Sequence, residues 1–311
     1  CRRQRGENEV TESETGKYNA TYRAEKPSPY TILVSIGGKN DQELTTETKR
    51  FYPGRVTLSD SGEILAITDI VNDSIAIFTV DGKYVREIGV EGTGDGELSR
   101  PRCVVFNENT IFVSDNPVGN GRIQEFGLDG TYLRTVHKQE VVLRHMCVTD
   151  HNFACLELTV DANKTNIKLF AKQTGHFVKG IEVNPPVIDP EYPLGFAYHN
   201  GKYFISYYKD NCICVFDENG VFLYKFGKDG KKDGEFDDVC GLAVYGADMI
   251  LVCDSKNHRV QVFTHEGDFI SSFGSHGSRL GQMNGPADVA VTRDGKVIVV
   301  EFEGSRVQVW Q

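Results

Sequence analysis

Hydrophobic and polar residues alternate in short runs through the C-terminal part of the chain. Successive residues of 250–253 point to opposite sides of an extended backbone, and residues 260–263 alternate in the same way. A period of two over so few residues predicts β-strands rather than helices. Turn-forming pairs such as Asp294-Gly295 stand between the runs, so we expect tight hairpins to join neighbouring strands.

One pattern of strands and turns is written twice without a gap, in residues 226–263 and again in residues 273–310. Glycines, an Ala-Val pair, an acidic residue and an arginine recur at the same places in both copies, always 47 positions apart. Each copy has room for four short strands, and a four-stranded repeat of roughly 40–50 residues has the size of a β-propeller blade. A single blade cannot bury either of its faces, so the repeat predicts a ring of blades.

The number of blades follows from the aromatic residue that closes the third strand of each unit. Six such residues occur at nearly even spacing: Phe78, Phe126, Phe170, Phe216, Phe263 and Trp310. The sequence therefore predicts an all-β fold, a six-bladed β-propeller over residues 30–311. Residues 1–29 are polar, charged and poor in aliphatic side chains, which is typical of a disordered tail or linker.

Closure of the ring is expected at residues 31–36. The chain stops just after the third strand of the sixth unit, so the last blade needs a fourth strand from elsewhere. The apolar run from Thr31 to Ile36 has no inner partner of its own and is expected to complete that blade. This pairing would remove two exposed sheet edges.

Composition and charge limit the partners and the cellular locations that we expect for this chain. Hydrophobic residues make up 39% and charged residues 25% of the chain, and no apolar run is long enough to cross a bilayer, so we expect no membrane partner. The net charge of −10 works against non-specific binding to nucleic acid. The eight cysteines fall mostly at strand positions, which indicates reduced, buried thiols and a cytoplasmic location. Glycosylation sequons at Asn19, Asn72 and Asn163 favour secretion as the alternative.

Residues with catalytic or metal-binding chemistry do not form a recognisable site in the sequence. The eight histidines lack metal-ligand spacing, and neither a nucleophile elbow nor a phosphate-binding loop is present. The Asp and Arg that recur in several units, such as Asp254 and Arg259, are expected to form structural ion pairs, because a ring seldom carries several active sites. We therefore expect no catalytic residue, no metal ligand and no cofactor in this chain.

Binding is expected on one face of the ring. In an antiparallel blade, the loop that leads into the first strand (the lead-in loop) and the loop between the second and third strands emerge on the same side, which we call the loop face. Arginine and aromatic side chains are favoured at interface hot spots. The candidate binding residues on this face are Tyr52, Arg55, Arg100, Arg102, Arg122, Arg144, Lys164, Tyr192, Tyr207, Tyr208, Lys209, Lys256, His258, Arg279 and Phe302. Acidic residues are interleaved with them at Asp95, Glu97, Asp189, Glu191, Asp233, Glu235, Asp237 and Asp238.

The repeat resembles the NHL family. Its units read FG-x2-G-x3-G-x-F, then a short apolar strand and a strand ending in Asp, and the segment KNHRVQVF from Lys256 is close to the family's motif. The similarity is strongest in the second, fifth and sixth units, and the resemblance covers about residues 30–311. It implies a propeller built from NHL repeats.

The resemblance also implies functions for the loop face. C-terminal propellers of tripartite-motif (TRIM-NHL) proteins recognise either a protein client or single-stranded messenger RNA. A zinc-binding ubiquitin-ligase region and a coiled coil precede them, so ligase activity and self-association through a coiled coil would belong to an upstream part. We expect a client-binding module first and an RNA-binding propeller in post-transcriptional control second. The peptide-amidating lyase also resembles an NHL ring, which makes a metal-dependent lyase the third hypothesis.

We predict that removing residues 1–29 leaves thermal stability nearly unchanged, whereas removing residues 1–38 lowers it strongly. The longer deletion takes away the expected closing strand and exposes a sheet edge and apolar blade surface. Thermal melting of the two truncated proteins beside the full chain is the measurement. Equal melting temperatures for both truncations would show that this strand does not close the ring.

Overall fold

The computed structural model describes the backbone of residues 9–12, 18–21 and 32–34, and then residues 51–310 except 118–120, 160–163, 188–192, 247 and 280. These residues form six four-stranded sheets and one separate two-stranded hairpin. The predicted all-β, six-bladed propeller is confirmed.

Each sheet is one blade. In blades 1 to 5 the strands follow one another in chain order from the ring axis outwards, and blade 6 takes its outermost strand from the N-terminal region. Blade 1 consists of β4 Pro53–Leu58, β5 Ile64–Asp69, β6 Ser74–Thr79 and β7 Tyr84–Ile88. Blade 2 consists of β8 Cys103–Asn107, β9 Thr110–Asp115, β10 Gly121–Gly127 and β11 Tyr132–Gln139. Blade 3 consists of β12 Val142–Val148, β13 Asn152–Thr159, β14 Lys164–Ala171 and β15 Phe177–Val183. Blade 4 consists of β16 Pro193–His199, β17 Lys202–Tyr207, β18 Cys212–Asp217 and β19 Phe222–Phe226. Blade 5 consists of β20 Val239–Tyr245, β21 Met249–Asp254, β22 Arg259–Thr264 and β23 Phe269–Phe273. Blade 6 consists of β24 Pro286–Val291, β25 Val297–Glu301, β26 Arg306–Trp310 and, from the N-terminal region, β3 Ile32–Val34.

The blades are held in a circle by apolar clusters between them. The first strands of successive blades lie side by side, β4 beside β8 and so on to β24, which lies beside β4 again. Six clusters of buried residues fill the spaces between neighbouring blades, including the space between blades 6 and 1. In one of them Phe112 of blade 2 stacks on Phe153 of blade 3 with ring centroids 4.4 Å apart. Burial of one such aromatic side chain contributes about 1.5–3 kcal/mol.

The aromatic residues used to count the blades lie at the ends of the third strands, as predicted. Phe78, Phe126, Phe170, Phe216 and Phe263 are all buried. Trp310 is half-buried and packs on Phe273, the last residue of blade 5, with ring centroids 4.9 Å apart. The aromatic at this place therefore fills an interface between blades rather than a binding site.

The closing strand lies where the sequence placed it, as the fourth strand of blade 6. Ile32 of β3 pairs with Val307 of β26, and Val34 pairs with Val309. The pairing is parallel, whereas the fourth strand of each other blade pairs antiparallel with the third. The described strand is also shorter than the predicted residues 31–36.

Two further strands occur inside the segment expected to be a disordered tail. Here β1, Glu9–Glu12, pairs antiparallel with β2, Tyr18–Thr21. Both contain Thr with Val or Tyr, residues that are enriched in strands. The expectation of no regular structure is therefore corrected for these residues, and the boundary at residue 30 stays a prediction.

The recurring acidic residue and arginine form a buried ion pair, as predicted. In blade 2 the Nε of Arg122 lies 2.8 Å from Oδ1 of Asp115, and both side chains are buried. The same guanidinium donates hydrogen bonds to the carbonyls of Thr93, Gly94 and Glu97 in the lead-in loop. One arginine thus neutralises a buried carboxylate and fixes a loop; we call this arrangement the loop brace.

The loop brace is repeated in blades 5 and 6. Arg259 pairs with Asp254 and Arg306 with Glu301, and both arginines donate to carbonyls of their own lead-in loops. The loops also need glycine where they begin. For example, Gly227 has φ of 83°, and a Cβ there would lie 2.3 Å from the ring of Phe236. The glycines therefore allow the backbone conformation and close packing of the loops, as the sequence indicated.

Seven cysteines lie in the described part of the chain, and all are free. Five are buried and the other two, Cys147 and Cys240, are half-buried. Burial raises the pKa of Cys103 to about 12 and that of Cys240 to about 11, so these thiols resist becoming reactive thiolates. The prediction of buried thiols is confirmed for the five buried cysteines, whereas Cys147 and Cys240 are only partly buried.

We predict that Arg122→Met lowers the free energy of unfolding by about 3–5 kcal/mol, because it leaves the Asp115 carboxylate buried without its opposite charge. Arg134→Met is the matched control, since Arg134 is 41% exposed in its ion pair with Glu125 and such pairs contribute about 0.2–1 kcal/mol. Urea unfolding of both variants is the measurement. Similar losses in the two variants would show that the loop brace is dispensable.

Candidate functional site

The two kinds of loop meet on the loop face, as expected. The Asn116 N–H donates to the Ser99 carbonyl at 3.1 Å, and the Phe302 N–H donates to the Gly285 carbonyl at 3.2 Å. Each bond joins the loop between the second and third strands to the lead-in loop of the same blade. In these blades the two loops are therefore joined into one hydrogen-bonded surface.

Neighbouring blades are also linked on this face. A side chain after the second strand accepts a backbone N–H from the next blade: Asn116 accepts from Leu143 at 3.0 Å, and Asn211 accepts from Val239 at 3.2 Å. In blade 5 this role belongs to His258, whose Nδ1 accepts the Gly285 N–H at 3.2 Å. The candidate residue His258 therefore has a structural task between blades 5 and 6.

The first strands of the blades carry bulges where they begin, close to the ring axis. The register of β4 shifts between Pro53 and Val56, and that of β12 shifts between Leu143 and His145. Shifts occur at the same place in β16, β20 and β24. A bulge inserts an extra residue and re-aims a side chain, so it directs residues such as Arg144 away from the regular alternation.

Arg55, in the bulge of β4, spans the channel along the ring axis. Its Nη1 donates to the Ala287 carbonyl of the adjacent blade 6 at 2.8 Å. Its Nη2 donates to the Leu194 carbonyl of blade 4, on the opposite side of the ring, at 2.7 Å. The backbone edge of a first strand has no neighbouring strand on the axial side, so these bonds satisfy carbonyls that would otherwise lack a partner.

Three other candidate arginines lie at the same end of the channel. Arg102 directly precedes β8, and its backbone N–H donates to the Ser114 carbonyl at 2.7 Å. Burial, together with the neighbouring charges of Arg100, Arg144 and Arg55, lowers the pKa of the Arg102 guanidinium to about 10. The structure therefore brings four arginines from blades 1 to 3 together at one place, which we call the channel mouth.

Asp288 is a residue of the channel mouth that sequence reasoning missed. It is buried in β24, and its Oδ2 accepts the Val56 N–H of blade 1 at 3.0 Å. Burial raises the pKa of this carboxyl to about 6, against the opposing charge of Arg55. The signal in the sequence is a lone acidic residue in the otherwise apolar strand PADVAV.

Farther from the axis, the loop face carries aromatic side chains and paired charges. The rings of Tyr52 and Phe302 are 6.3 Å apart, and Phe302 is 43% exposed. Tyr208 hydrogen-bonds to Asp238, and Asp238 Oδ2 also lies 2.7 Å from Lys256 Nζ. We call these residues the rim.

Part of the acidic charge of the loops is used inside them. The Glu97 carboxylate accepts the Gly94 N–H at 2.8 Å, and the Glu235 carboxylate accepts the Lys232 N–H at 3.1 Å. Asp233 lies 3.3 Å from the guanidinium of Arg259. These acidic residues therefore stabilise the loops that carry them.

Two candidate residues lie inside the blades. Tyr207 is fully buried and pairs with Cys212 between β17 and β18, the position that the acid–arginine pair occupies in blade 5. Arg122 is buried in the loop brace. The prediction that they face a partner is corrected for both, because their surroundings are the blade interior.

The remaining candidates stay predictions. Lys209 and Arg279 are exposed in loops of blades 4 and 6. The side chain of Lys164, together with Tyr192, Asp189 and Glu191, lies outside the described residues.

The described ranges lack both a cluster of metal ligands and a helix suited to cross a membrane. Those ranges contain no group of three or more His, Cys, Asp or Glu side chains placed to hold a metal ion. They also contain no helix with the length and apolar character that a membrane crossing requires.

Comparison with known proteins agrees with this architecture. A family model described as a 6-bladed beta-propeller matches residues 45–179, and the NHL repeat model matches residues 283–310. The chain is a six-bladed β-propeller whose last blade matches the NHL repeat. It is 30% identical over 109 residues to NHL repeat-containing protein 2 of Gallus gallus, and the match covers 33% of this chain and 15% of that protein.

Solved structures with the same fold come from several bacteria. An auxiliary nutrient binding protein from Bacteroides ovatus has a TM-score of 0.65 at 16% identity, covering 84% of this chain and 69% of the other. Virginiamycin B lyase from Staphylococcus aureus, in a catalytically inactive form with quinupristin, has a TM-score of 0.57 at 16% identity, covering 86% and 83%. Identities this low indicate a shared fold and leave function to the residues of this chain.

We predict that Asp288→Asn gains stability relative to the wild type as pH rises. A carboxyl whose pKa is higher in the folded chain, here about 6 against 3.8, stabilises the fold while it is protonated and loses that contribution as pH rises through about 6. The difference in unfolding free energy should move towards the variant by about 1 kcal/mol between about pH 5 and about pH 7.5.

Urea unfolding of wild type and variant at both pH values is the measurement. The exposed Asp60→Asn variant is the matched control. A difference between wild type and Asp288→Asn that does not depend on pH would contradict the burial of an ionisable carboxyl at this position.

Proposed function

We propose that the chain is a non-catalytic recognition module that binds a protein client on its loop face. The observation that carries this proposal is the rim, where the exposed ring of Phe302 lies against Tyr52. Aromatic side chains supply large contact area with few rotatable bonds, and they dominate interface energetics when a partner covers them. The exposed ring of Phe302, supported by the partly buried Tyr52 of the neighbouring blade, is suited to be such an anchor.

The charges around the rim support a protein partner over a polyanion. Lys256 is paired with Asp238, which also accepts a hydrogen bond from Tyr208. A cation that already has a carboxylate partner gains less from contacting a phosphate. The alternation of paired charges and aromatic rings is typical of the polar rim and aromatic centre of a protein interface.

Single-stranded RNA is the second candidate, favoured by the arginines of the channel mouth. RNA binding combines phosphate contacts from cations with stacking of bases on aromatic rings. Tyr207 is buried and cannot stack a base, so Tyr208 would have to serve alone. The net charge of −10 further opposes a polyanion at long range.

The wider setting rests on the motif resemblance. We propose a TRIM-NHL-type ubiquitin ligase in the cytoplasm, with this propeller as its client-binding end and with ligase and coiled-coil parts upstream. The free, buried cysteines of the described ranges support a reducing compartment. A metal-dependent lyase has less support, because the described residues offer no ligand cluster for its metal.

We predict that Phe302→Ala weakens client binding by at least about 30-fold, which corresponds to the 2 kcal/mol or more expected of a hot spot. Phe177→Ala is the matched control, because Phe177 is 57% exposed on the outer strand β15, away from the loop face. Immobilised wild type and both variants are incubated with RNase-treated lysate. Proteins whose capture depends on Phe302 but not on Phe177 are then purified, and their affinities are measured.

The competing outcome is tested with labelled uridine-rich and random RNA at about 50 and about 200 mM salt. Each phosphate contact steepens the logarithmic salt dependence by about 0.7 for a single strand. We expect weak binding that disappears at the higher salt. Sequence-selective binding that persists there and is lost in Tyr208→Ala would instead establish the RNA hypothesis.

A further inference from the structure

The channel mouth concentrates positive charge in a way that the loop brace and the rim do not. Arg55, Arg102 and Arg144 come from three consecutive blades and all stand at the start of a first strand, next to the axis. Elsewhere in the described part of the chain, buried arginines face carboxylates, as Arg122 faces Asp115. At the channel mouth the charges of Arg100, Arg144 and Arg55 act on the guanidinium of Arg102.

Two of these arginines have no acidic partner at ion-pair distance. Among the described residues, the ion pairs within 4 Å include neither Arg55 nor Arg102. The carboxyl of Asp288 also lies at the channel mouth, and its Oδ2 accepts the Val56 N–H. Like charges in a partly buried site repel each other, which lowers the pKa of Arg102. An anion would relieve that repulsion.

Hydrogen-bond donors remain available at the same place. The Nε of Arg102 is shielded from solvent and has no hydrogen-bond partner. A guanidinium offers five N–H donors, and Arg55 uses Nη1 and Nη2 for one hydrogen bond each. Buried polar groups in folded proteins are normally paired, and an unpaired donor calls for an explanation.

We propose that the channel mouth binds a small anion through a carboxylate or phosphate group held by Arg55, Arg102 and Arg144. The planar guanidinium fork matches both groups and forms paired, charge-assisted hydrogen bonds with them. The two anion classes share this chemistry. The site is separate from the rim and does not depend on the proposed protein client.

The recessed position of the donors favours a small ligand over a polymer. Arg102 is half-buried and its Nε is fully shielded, while the rim residue Phe302 is exposed. A free anion can approach the axis between the loops. A phosphate inside a nucleic-acid strand carries neighbouring sugars that must pass the same loops.

Calorimetric titration of the full chain with inorganic phosphate and with succinate, at constant ionic strength set by sodium chloride, tests the proposal. We expect saturable binding of at least one of them to the wild type. Arg102→Met should weaken it by about tenfold or more, since a charge-assisted hydrogen bond is lost. The exposed Arg293→Met in the β24–β25 turn is the matched control and should bind like the wild type.

Thermal melting without added anion separates binding from structure. Without a bound anion, the partly buried charge of Arg102 is repelled by the neighbouring arginines and destabilises the fold. Arg102→Met should therefore melt at the same temperature as the wild type or above it. The same anion should raise the melting temperature of the wild type and not that of the variant. Arg144→Met gives an independent repeat of both measurements.

Several outcomes would overturn the proposal. One is the absence of saturable binding for both phosphate and succinate, and another is wild-type anion affinity in both Arg102→Met and Arg144→Met. A lower melting temperature of both variants without anion, together with unchanged anion affinity, assigns the arginines a purely structural role. Binding of a phosphoserine peptide but not of phosphate or succinate would make the site part of a peptide interface instead.

Discussion

The buried pairing of an acidic side chain with an arginine determines the shape of the loops that this propeller presents. Arg122, Arg259 and Arg306 each neutralise a carboxylate between the second and third strands, and each donates to carbonyls of its lead-in loop. The interaction that satisfies a buried charge therefore also fixes a loop. Blades 3 and 4 have Leu158–Thr165 and Tyr207–Cys212 at the paired positions, and their lead-in loops lack the glycine pattern.

The architecture was accessible from the sequence because it depends on a repeated interaction. The offset of 47 residues predicted the strands, the number of blades and the ion pairs, because equivalent positions of each repeat pack in the same way. The same offset from Asp254 leads to Tyr207, so its burial was available to sequence reasoning, which grouped Tyr207 with loop residues by proximity. The parallel direction of β3 was not available, because apolar alternation reads the same in either direction.

The channel mouth could not be predicted as a unit. Its arginines lie in different blades at unequal spacing, and their common position depends on bulges that the alternation of apolar residues does not reveal. Small residues make the convergence possible: a Cβ at Gly195 would lie 2.5 Å from the Cys240 carbonyl oxygen, and one at Gly241 would lie 1.9 Å from Asp288 Oδ1. These glycines let adjacent blades approach closely, and Arg55 can then reach from blade 1 to blade 4.

The loop face therefore contains two zones with different electrostatics. On the rim, Lys256 has a carboxylate neighbour and Phe302 offers exposed aromatic surface. At the axis, Arg55 and Arg102 lie outside every ion pair of the described residues. A net charge of −10 repels a polyanion at distances of up to about a Debye length. That repulsion grows with the ligand's own charge, whereas the attraction of the recessed guanidinium groups acts over a few ångströms. A small anion is weakly repelled by the net charge and fully attracted by the guanidinium groups, so the axis suits such a ligand. The paired charges and exposed aromatic surface of the rim suit a protein instead.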